Sequence, residues 1–414
     1  TKICLARGAY VYLCDIDSKS LNKLNKHPLK NKKLFEVNSG KCVPSPLMII
    51  SSILLTFTTA TTVRAEPMSI MQKISPYSEG SFQAGLFYDN VEGAVLTSSF
   101  DQEQLLGSDE NLTAEISYSP KSLSLKVQST DPDIFKSDWS RTLSFGSQKF
   151  SPNQNILRDF RFSSANAELS FFRSLNKVSG ITIASGYSHL DFNQSGELPL
   201  TIVNSPSLKG DKVETGYLKA SARYSTIYGE TFPTSGSEIV TSLEIGNAGS
   251  VPYAVARMSA QGYKALNERF FTRLGFATSF GHSGSDEFPF NKNTFVGGSG
   301  SVRGYKQNSL GPLSSLETSG DPTAIGGQYA VTTSLEVGTV IGNQKKLVAF
   351  AFFDTGNATN DLASLGFGSL KKTRGVGLRW KPLLGSLEIS FAEAINPKNQ
   401  VLTEKLQITL GRIF

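Results

Sequence analysis

The feature that most constrains this fold is an alternation of apolar and polar residues that recurs from residue 81 to the carboxyl terminus. Residues 112–118, for example, read Leu-Thr-Ala-Glu-Ile-Ser-Tyr, with an apolar residue at every second position. A period of two predicts β-strands that have one apolar face and one polar face. Amphipathic helical spacing is scarce, so the chain from residue 81 onward is predicted to be all-β.

The alternating segments number about sixteen, and most are near the 9–11 residues that a tilted strand needs to span a membrane. A soluble sandwich or propeller is the alternative, but no repeat of fixed period is visible. We therefore predict a single closed antiparallel transmembrane β-barrel over residues 81–414. The predicted strands are 81–89, 91–99, 111–119, 121–131, 139–150, 159–172, 178–191, 211–226, 236–247, 252–264, 268–281, 327–341, 345–356, 371–381, 384–395 and 404–414.

Residues 1–65 differ in composition from the rest of the chain. Residues 47–57 form an apolar run that is too short to span a bilayer as a helix, which takes about 20 residues. The run is followed by a sequence ending in Ala65 that suits signal peptidase, so we expect a signal peptide over residues 47–65 with cleavage near Ala65. Because the first methionine is Met48, the status of the upstream extension, residues 1–46, stays open. Residues 66–80 are predicted to form a short periplasmic lead.

Removal of residues 1–65 changes the charge balance of the chain. This segment carries 10 of the 41 basic and 3 of the 35 acidic residues, which leaves 31 basic and 32 acidic residues. The remaining chain is close to neutral, so we expect no nucleic-acid partner. The segment also contains all three cysteines, Cys4, Cys14 and Cys42. A chain without thiols suits an oxidising, periplasm-facing compartment.

A glycine-rich stretch, residues 291–312, stands out from the alternating pattern. It has glycines at positions 297, 298, 300, 304 and 311, and it contains Arg303. Glycines allow positive-φ turns and close backbone contact, so the stretch can fold back and pack inside the barrel. A buried arginine needs carboxylate partners, because an unpaired buried charge costs several kcal/mol.

This stretch resembles the sixth loop of the eighty-five-kilodalton outer-membrane superfamily, the surface-antigen and assembly-factor barrels that insert or export proteins at bacterial outer membranes. The residues that carry the resemblance are Phe295, Gly297, Gly298, Val302, Arg303, Gly304, Tyr305, Leu310, Gly311 and Pro312. Three further runs are similar to family motifs: Phe232-Pro233-Thr234-Ser235-Gly236 before the ninth predicted strand, Phe353-Asp354-Thr355-Gly356, and Gly375-Val376-Gly377-Leu378-Arg379-Trp380.

The resemblance implies an inward-folded loop, residues 282–326, between strands eleven and twelve. It also implies that Arg303 pairs with Glu336 and Asp354 on the next two strands. Alternation places both carboxylates on the lumen face, since the lipid face would be costly for a charge. The final strand, with Leu410 and the terminal Phe414, resembles the carboxyl-terminal signal by which outer-membrane barrels are recognised for assembly.

The resemblance implies a protein insertase or translocase in a Gram-negative outer membrane, with a lateral seam between strands 81–89 and 404–414. A passive channel or structural barrel is the alternative. The expected partners are outer-membrane lipids and client outer-membrane or secreted proteins. The 66–80 lead is too short for a polypeptide-transport-associated domain, so a barrel-only member with a separate periplasmic partner is predicted. His189 and His282 lack catalytic or metal-ligand spacing, so no enzymatic activity, metal or cofactor is expected.

Overall fold

The chain divides into two units, Thr1–Ser78 and Glu79–Phe414. In the first unit, the described residues form one antiparallel hairpin of β1 (Lys2–Arg7) and β2 (Tyr10–Asp15). The predicted signal peptide, 47–65, lies outside the described residues. The structure, a computed structural model, describes residues 2–7, 10–15, 80–89, 92–104, 108–134, 137–151, 161–192, 197–227, 232–285, 287–317, 320, 322–342, 346–381, 386–395, 397 and 402–411.

The second unit is a closed barrel of sixteen strands in which every neighbouring pair is antiparallel. This confirms the predicted fold. The strands are β3 (Gly80–Asp89), β4 (Gly93–Gln102), β5 (Asn111–Tyr118), β6 (Ser122–Asp131), β7 (Trp139–Phe150), β8 (Phe162–Asn176), β9 (Ser179–Asp191), β10 (Lys212–Ser225), β11 (Gly236–Ala248), β12 (Val251–Ala265), β13 (Phe270–Ser283), β16 (Tyr329–Ile341), β17 (Leu347–Thr359), β18 (Lys371–Trp380), β19 (Ser386–Ile395) and β20 (Leu406–Gly411).

Side chains alternate between the two faces of the barrel wall. On β16, Leu335 and Val337 are exposed on the outer face, whereas Glu336 between them is buried in the lumen. The outer wall therefore presents apolar side chains, and the same alternation exposes Leu125 and Phe145. An apolar outer wall around a polar interior is the arrangement of membrane-spanning barrels.

Helical structure is sparse among the described residues. It consists of α1 (Leu200–Val203) and two short 3-10 helices, Phe290–Lys292 and Leu362–Ser364. No helix in this part of the chain is both long enough and apolar enough to span a membrane.

The longest connection between barrel strands, residues 284–328, joins β13 to β16 and is named here the lumen loop. It contains a small hairpin of β14 (Leu313–Ser315) and β15 (Pro322–Ala324). The structure begins and ends this loop two residues later than the prediction of 282–326, because β13 continues to Ser283 and β16 begins at Tyr329.

The barrel closes between its last and first strands, at the junction named here the seam. Within the described residues, β20 pairs with β3 at one position, Leu410 opposite Tyr88. On its other side β20 pairs with β19 at six positions, and β16 pairs with β17 at thirteen. The Leu410–Tyr88 pair sets the register in which the last strand meets the first.

Candidate functional site

The lumen loop packs into the barrel through a small apolar cluster. Val296, Val302, Tyr305 and Leu310 are all buried, and they lie against Ala330 on β16 and Ala358 on β17. The small alanines leave room for the loop backbone to approach the wall. Apolar burial therefore holds the loop inside the lumen.

Gly304 follows Arg303 at a point where the loop packs against the wall. Its φ is +88°, a conformation that side-chain-bearing residues rarely adopt. A Cβ at this position would lie 2.9 Å from the Cβ of Ala392 on β19. Glycine is thus required here by both the backbone conformation and the space. Gly297 and Gly298 also have positive φ values, and both are buried in the turn before Arg303.

Arg303 binds Asp354 on β17 in a two-pronged arrangement. Its Nε donates to Oδ2 at 2.7 Å and its Nη2 donates to Oδ1 at 2.9 Å. The Arg303 backbone N–H also donates to Oδ2, at 3.1 Å. Ser334 on β16 completes the site, since its hydroxyl donates to Oδ1 at 2.7 Å. Three donors from one loop residue fix both the guanidinium and the loop backbone, and such charge-assisted pairs are among the strongest hydrogen bonds.

Glu336 on β16 is the second carboxylate at Arg303, and two other arginines also contact it. Oε1 lies 2.9 Å from Nη1 of Arg303 and 3.2 Å from Nη1 of Arg273 on β13. Oε2 lies 3.5 Å from Nη1 of Arg379 on β18. The side chain is only 1% exposed, and the three guanidinium groups supply the opposite charge that a buried carboxylate needs.

A third carboxylate, Glu388 on β19, extends the network. It receives a hydrogen bond of 2.7 Å from Nε of Arg379, and its Oε1 lies 3.5 Å from Nη1 of Arg303. Register explains this meeting, because Arg379 lies directly opposite Glu388, and Arg273 directly opposite Glu336. The site therefore holds three guanidinium groups against three carboxylates.

Two phenylalanines of β17 form a floor beneath the arginines. Cζ of Arg303 lies 3.6 Å from the ring centre of Phe352, and Cζ of Arg379 lies 4.6 Å from that of Phe350. The neighbouring strand β18 makes room with glycines. A Cβ at Gly375 would lie 2.5 Å from the Phe352 ring, and one at Gly377 would lie 2.4 Å from the Phe350 ring. Cation–π contact adds to the ion pairs.

The electrostatic balance favours a permanently charged Arg303. Burial opposes the charged form, but the hydrogen bonds and charge of Asp354, together with Glu336 and Glu388, raise the pKa of Arg303 above its ordinary value. Within the described residues, no group of three or more His, Cys, Asp or Glu side chains is arranged to hold a metal ion. The arrangement can lock a loop, and it presents no activated nucleophile.

The lumen loop has a second charged anchor, at Lys292. Its ammonium lies 2.8 Å from Oε1 of Glu244 on β11 and about 5 Å from the ring centres of Tyr217 and Tyr253. The Tyr253 hydroxyl donates to the same Glu244 oxygen, at 2.9 Å. Burial lowers the pKa of Lys292, although Glu244 opposes that shift. This anchor ties the loop to β10–β12, on a different part of the wall from β16–β19.

A cavity of about 570 Å³ lies beside the Arg303 site. Ser299, Gly300 and Ser301 of the loop line it, together with Arg273, Glu336 and other side chains of the network. Phe232, in the turn before β11, lines it as well, and this residue belongs to the cluster that contains Phe350 and Phe352. The run from Phe232 to Gly236, which is similar to a family motif, thus packs against the lumen beside the charged network.

The predicted site residues fall into three places. The structure brings Arg303, Glu336 and Asp354 together, with Val302, Gly304 and Tyr305 packed around them. Phe295 lies elsewhere, beside a separate apolar cavity of about 170 Å³ that Phe290 and Ile325 also line. Leu410 lies in the seam, and Phe414 lies outside the described residues. The functional roles of all these residues stay predictions.

The sequence analysis did not identify Arg273, Glu388, Lys292 or Glu244, and it listed Arg379 only as part of a motif. Alternation was one signal that could have indicated a lumen-facing Arg379. Arg379 lies on the same face of its strand as Gly375 and Gly377, and all three belong to one run that is similar to a family motif. The partners of Arg379 depend on register between strands, and those of Lys292 depend on where the loop folds. Neither can be read from spacing alone.

Comparison with known proteins places this chain in a family. Residues 104–414 match the family described as the Omp85 superfamily domain, so the chain belongs to that superfamily. The chain is 21% identical over 389 residues to the outer membrane protein assembly factor BamA of Neisseria meningitidis serogroup B, covering 84% of this chain and 49% of BamA. It therefore spans about half the length of that curated relative.

Solved structures of similar shape are also barrels of this kind. BamA from Haemophilus ducreyi lacking POTRA domains 1–3 aligns with a TM-score of 0.73 at 21% identity, covering 81% of this chain and 70% of that chain. CdiB from Acinetobacter baumannii aligns with a TM-score of 0.52 at 12% identity, covering 81% of this chain and 59% of that chain. At these identities the similarity supports the fold.

Proposed function

We propose that this barrel lies in a bacterial outer membrane and inserts or exports proteins there, through a seam between β3 and β20 that opens toward client strands. The observation that carries the proposal is the closure of the barrel between its first and last strands, β3 and β20, with the lumen loop packed inside and hydrogen-bonded to β20. If the seam opens, the strand edges that it exposes become templates for client strands. Relatives named for outer-membrane protein assembly support the same activity.

The partners in this proposal are outer-membrane lipids, client outer-membrane or secreted proteins, and a separate periplasmic protein that delivers the clients. The apolar outer wall supports the lipid contact, as does the superfamily. The proposed reaction involves only strand exchange and movement of chains. It includes no catalytic step and no cofactor.

A disulfide across the seam tests this function. Residues directly opposite in antiparallel strands have Cα atoms about 4.5–5.5 Å apart, within disulfide range. Tyr88→Cys with Leu410→Cys should therefore close the seam covalently, and Ile389→Cys with Ile408→Cys should tether β19 to β20 as a matched control. The measurement is folding of an outer-membrane client into vesicles that contain the purified barrel.

The proposed function predicts that the seam disulfide abolishes client insertion, that reduction restores it, and that the control disulfide has no effect. A passive channel or structural barrel would show no client insertion with either the open or the tethered seam, and its ion conductance would survive the tether. Equal insertion by the tethered and untethered barrels would exclude the seam as the route.

A further inference from the structure

The residues next to Arg303 are bound to the last barrel strand as well as to the carboxylates. Gln407 on β20 is 3% exposed, and both ends of its amide bind the backbone of the lumen loop. Its Nε2 donates to the carbonyl of Tyr305 at 2.7 Å, and its Oε1 accepts from the N–H of Gly304 at 3.4 Å. A buried amide used at both ends fixes the two segments relative to each other.

The backbone just before β20 adds to this contact. The N–H of Glu404 donates to the carbonyl of Gly304 at 2.9 Å, and the N–H of Lys306 donates to the carbonyl of Leu402 at 2.8 Å. Residues 304–306 thus lie against residues 402–404 like a short added strand. A displacement of β20 either breaks these bonds or moves the loop with it.

This contact matters because β20 is the seam strand. It pairs with β19 on one side and meets β3 on the other, and the hydrogen bonds to residues 304–306 add a third contact, from inside the lumen. Thr409 provides an internal comparison. On β20, Thr409 lies opposite Glu388 and Gln407 lies opposite Ser390. Because positions 407 and 409 are two apart in one strand, the side chains of Thr409 and Gln407 both face the lumen. The Thr409 hydroxyl makes no hydrogen bond to the described residues.

We propose that Gln407 is a positioning residue that couples the lumen loop to the seam. A docked loop holds β20 against β3, and a released loop frees it. This inference rests on the proposed function in treating the seam as the edge that opens, but the coupling is a property of the barrel without any client. Glutamine suits the position because it supplies one donor and one acceptor without adding charge beside Asp354 and Glu388.

The test is the rate of disulfide formation between Tyr88→Cys and Leu410→Cys in the purified full chain, with Cys4, Cys14 and Cys42 replaced by serine. A displaced β20 forms this disulfide more slowly. Gln407→Leu keeps the approximate volume and removes both hydrogen bonds, so it should slow the rate by about fivefold. Thr409→Val should leave the rate unchanged. If Gln407→Leu does not fold, Gln407→Asn keeps the chemistry with a shorter reach, and it should slow the rate less.

A double-mutant cycle separates coupling from simple damage. Arg303→Ala releases the loop and should itself slow disulfide formation, but in the Gln407→Leu background it should add no further slowing. Additive effects, or an unchanged rate in Gln407→Leu, would overturn the coupling. These measurements use no client, so their failure leaves the proposed function intact. Conversely, client insertion through a tethered seam would exclude that function and leave the coupling standing.

Discussion

The lumen loop is anchored at two places, and the two anchors compensate a buried cation in different ways. Arg303 faces three carboxylates and an aromatic floor, and its side chain is 5% exposed. Lys292 faces one carboxylate between two tyrosine rings, and its side chain is 13% exposed. The same loop thus carries a point charge near its start and a planar, multiply bonded cation near its middle.

The two anchors differ in the partners that each carboxylate keeps when its cation is removed, and this difference indicates which anchor matters more for docking of the loop. If Arg303 is removed, Asp354 keeps the Ser334 hydroxyl but no cation at ion-pair distance within the described residues. If Lys292 is removed, Glu244 keeps the hydroxyl of Tyr253 and the guanidinium of Arg257 at 4.0 Å. The cost of breaking a buried pair comes mainly from the partner left unpaired. We therefore expect Arg303 to be the lock and Lys292 the weaker anchor.

The largest expected effect is that of Arg303→Ala. It leaves Asp354 without its cation, which should destabilise the docked loop by about 3–5 kcal/mol. The measurement is the rate of tryptic cleavage after Lys306, a half-buried loop residue, in the barrel purified in detergent. Cleavage should become much faster, and the temperature at which the barrel unfolds on gels should fall. Equal cleavage in wild type and variant would show that Arg303 does not hold the loop.

Arg303→Lys should have a smaller effect. An ammonium keeps one charge near Asp354 and Glu336 but cannot make the two parallel bonds of a guanidinium, nor can it lie flat on Phe352. The expected loss is about 2–3 kcal/mol, again read from cleavage after Lys306. The lysine variant should lie between wild type and Arg303→Ala. A value equal to wild type would mean that charge alone anchors the loop.

The aromatic floor can be disturbed without changing any charge. The added methyl group of Gly375→Ala would lie 2.5 Å from the Phe352 ring, so the ring must move from beneath Arg303. The same methyl group would lie 2.3 Å from the carbonyl oxygen of Phe391 on β19, so the backbone there must shift as well. Overpacking of this kind costs about 1–3 kcal/mol. Gly262→Ala on β12 is the control, because a Cβ there meets no atom within 4 Å. The unfolding temperature should be lower for Gly375→Ala than for Gly262→Ala. Equal unfolding temperatures would show that the barrel wall at Gly375 accommodates the added methyl group without strain.

Much of the fold could be predicted from the sequence, because membrane barrels have a strict period of two. All sixteen predicted strands overlap observed ones, and differences lie at the ends. For example, β8 runs from Phe162 to Asn176, whereas the prediction was 159–172. Alternation alone cannot say where the ladder of paired strands stops, because it assigns residues to faces and not to partners. The pairing at the strand ends sets that limit.

The candidate site was predictable only where one strand position or one motif determines it. Glu336 and Asp354 followed from alternation and the family resemblance together. Glu388 joins the site because β19 pairs with β18 in a register that places Arg379 opposite it. Gln407 reaches the loop because β20 lies next to β19. Such contacts depend on register and on the loop path, which involve residues about 85 to 100 positions apart in the sequence.

The smallest expected effect is that of Lys292→Met, which keeps the unbranched side chain between Tyr217 and Tyr253 and removes the charge. Glu244 retains Tyr253 and Arg257, so the loss should be about 1–2 kcal/mol. Lys306 remains as the tryptic site, so the same cleavage assay applies to both anchors. Cleavage should rise far less than in Arg303→Ala, because the Lys292 end of the loop lies before the apolar cluster that starts at Val296 and stays packed. An effect as large as that of Arg303→Ala would mean that the two anchors act as one unit. In that case the number of carboxylates around each cation would not determine whether Arg303 or Lys292 contributes more to holding the loop.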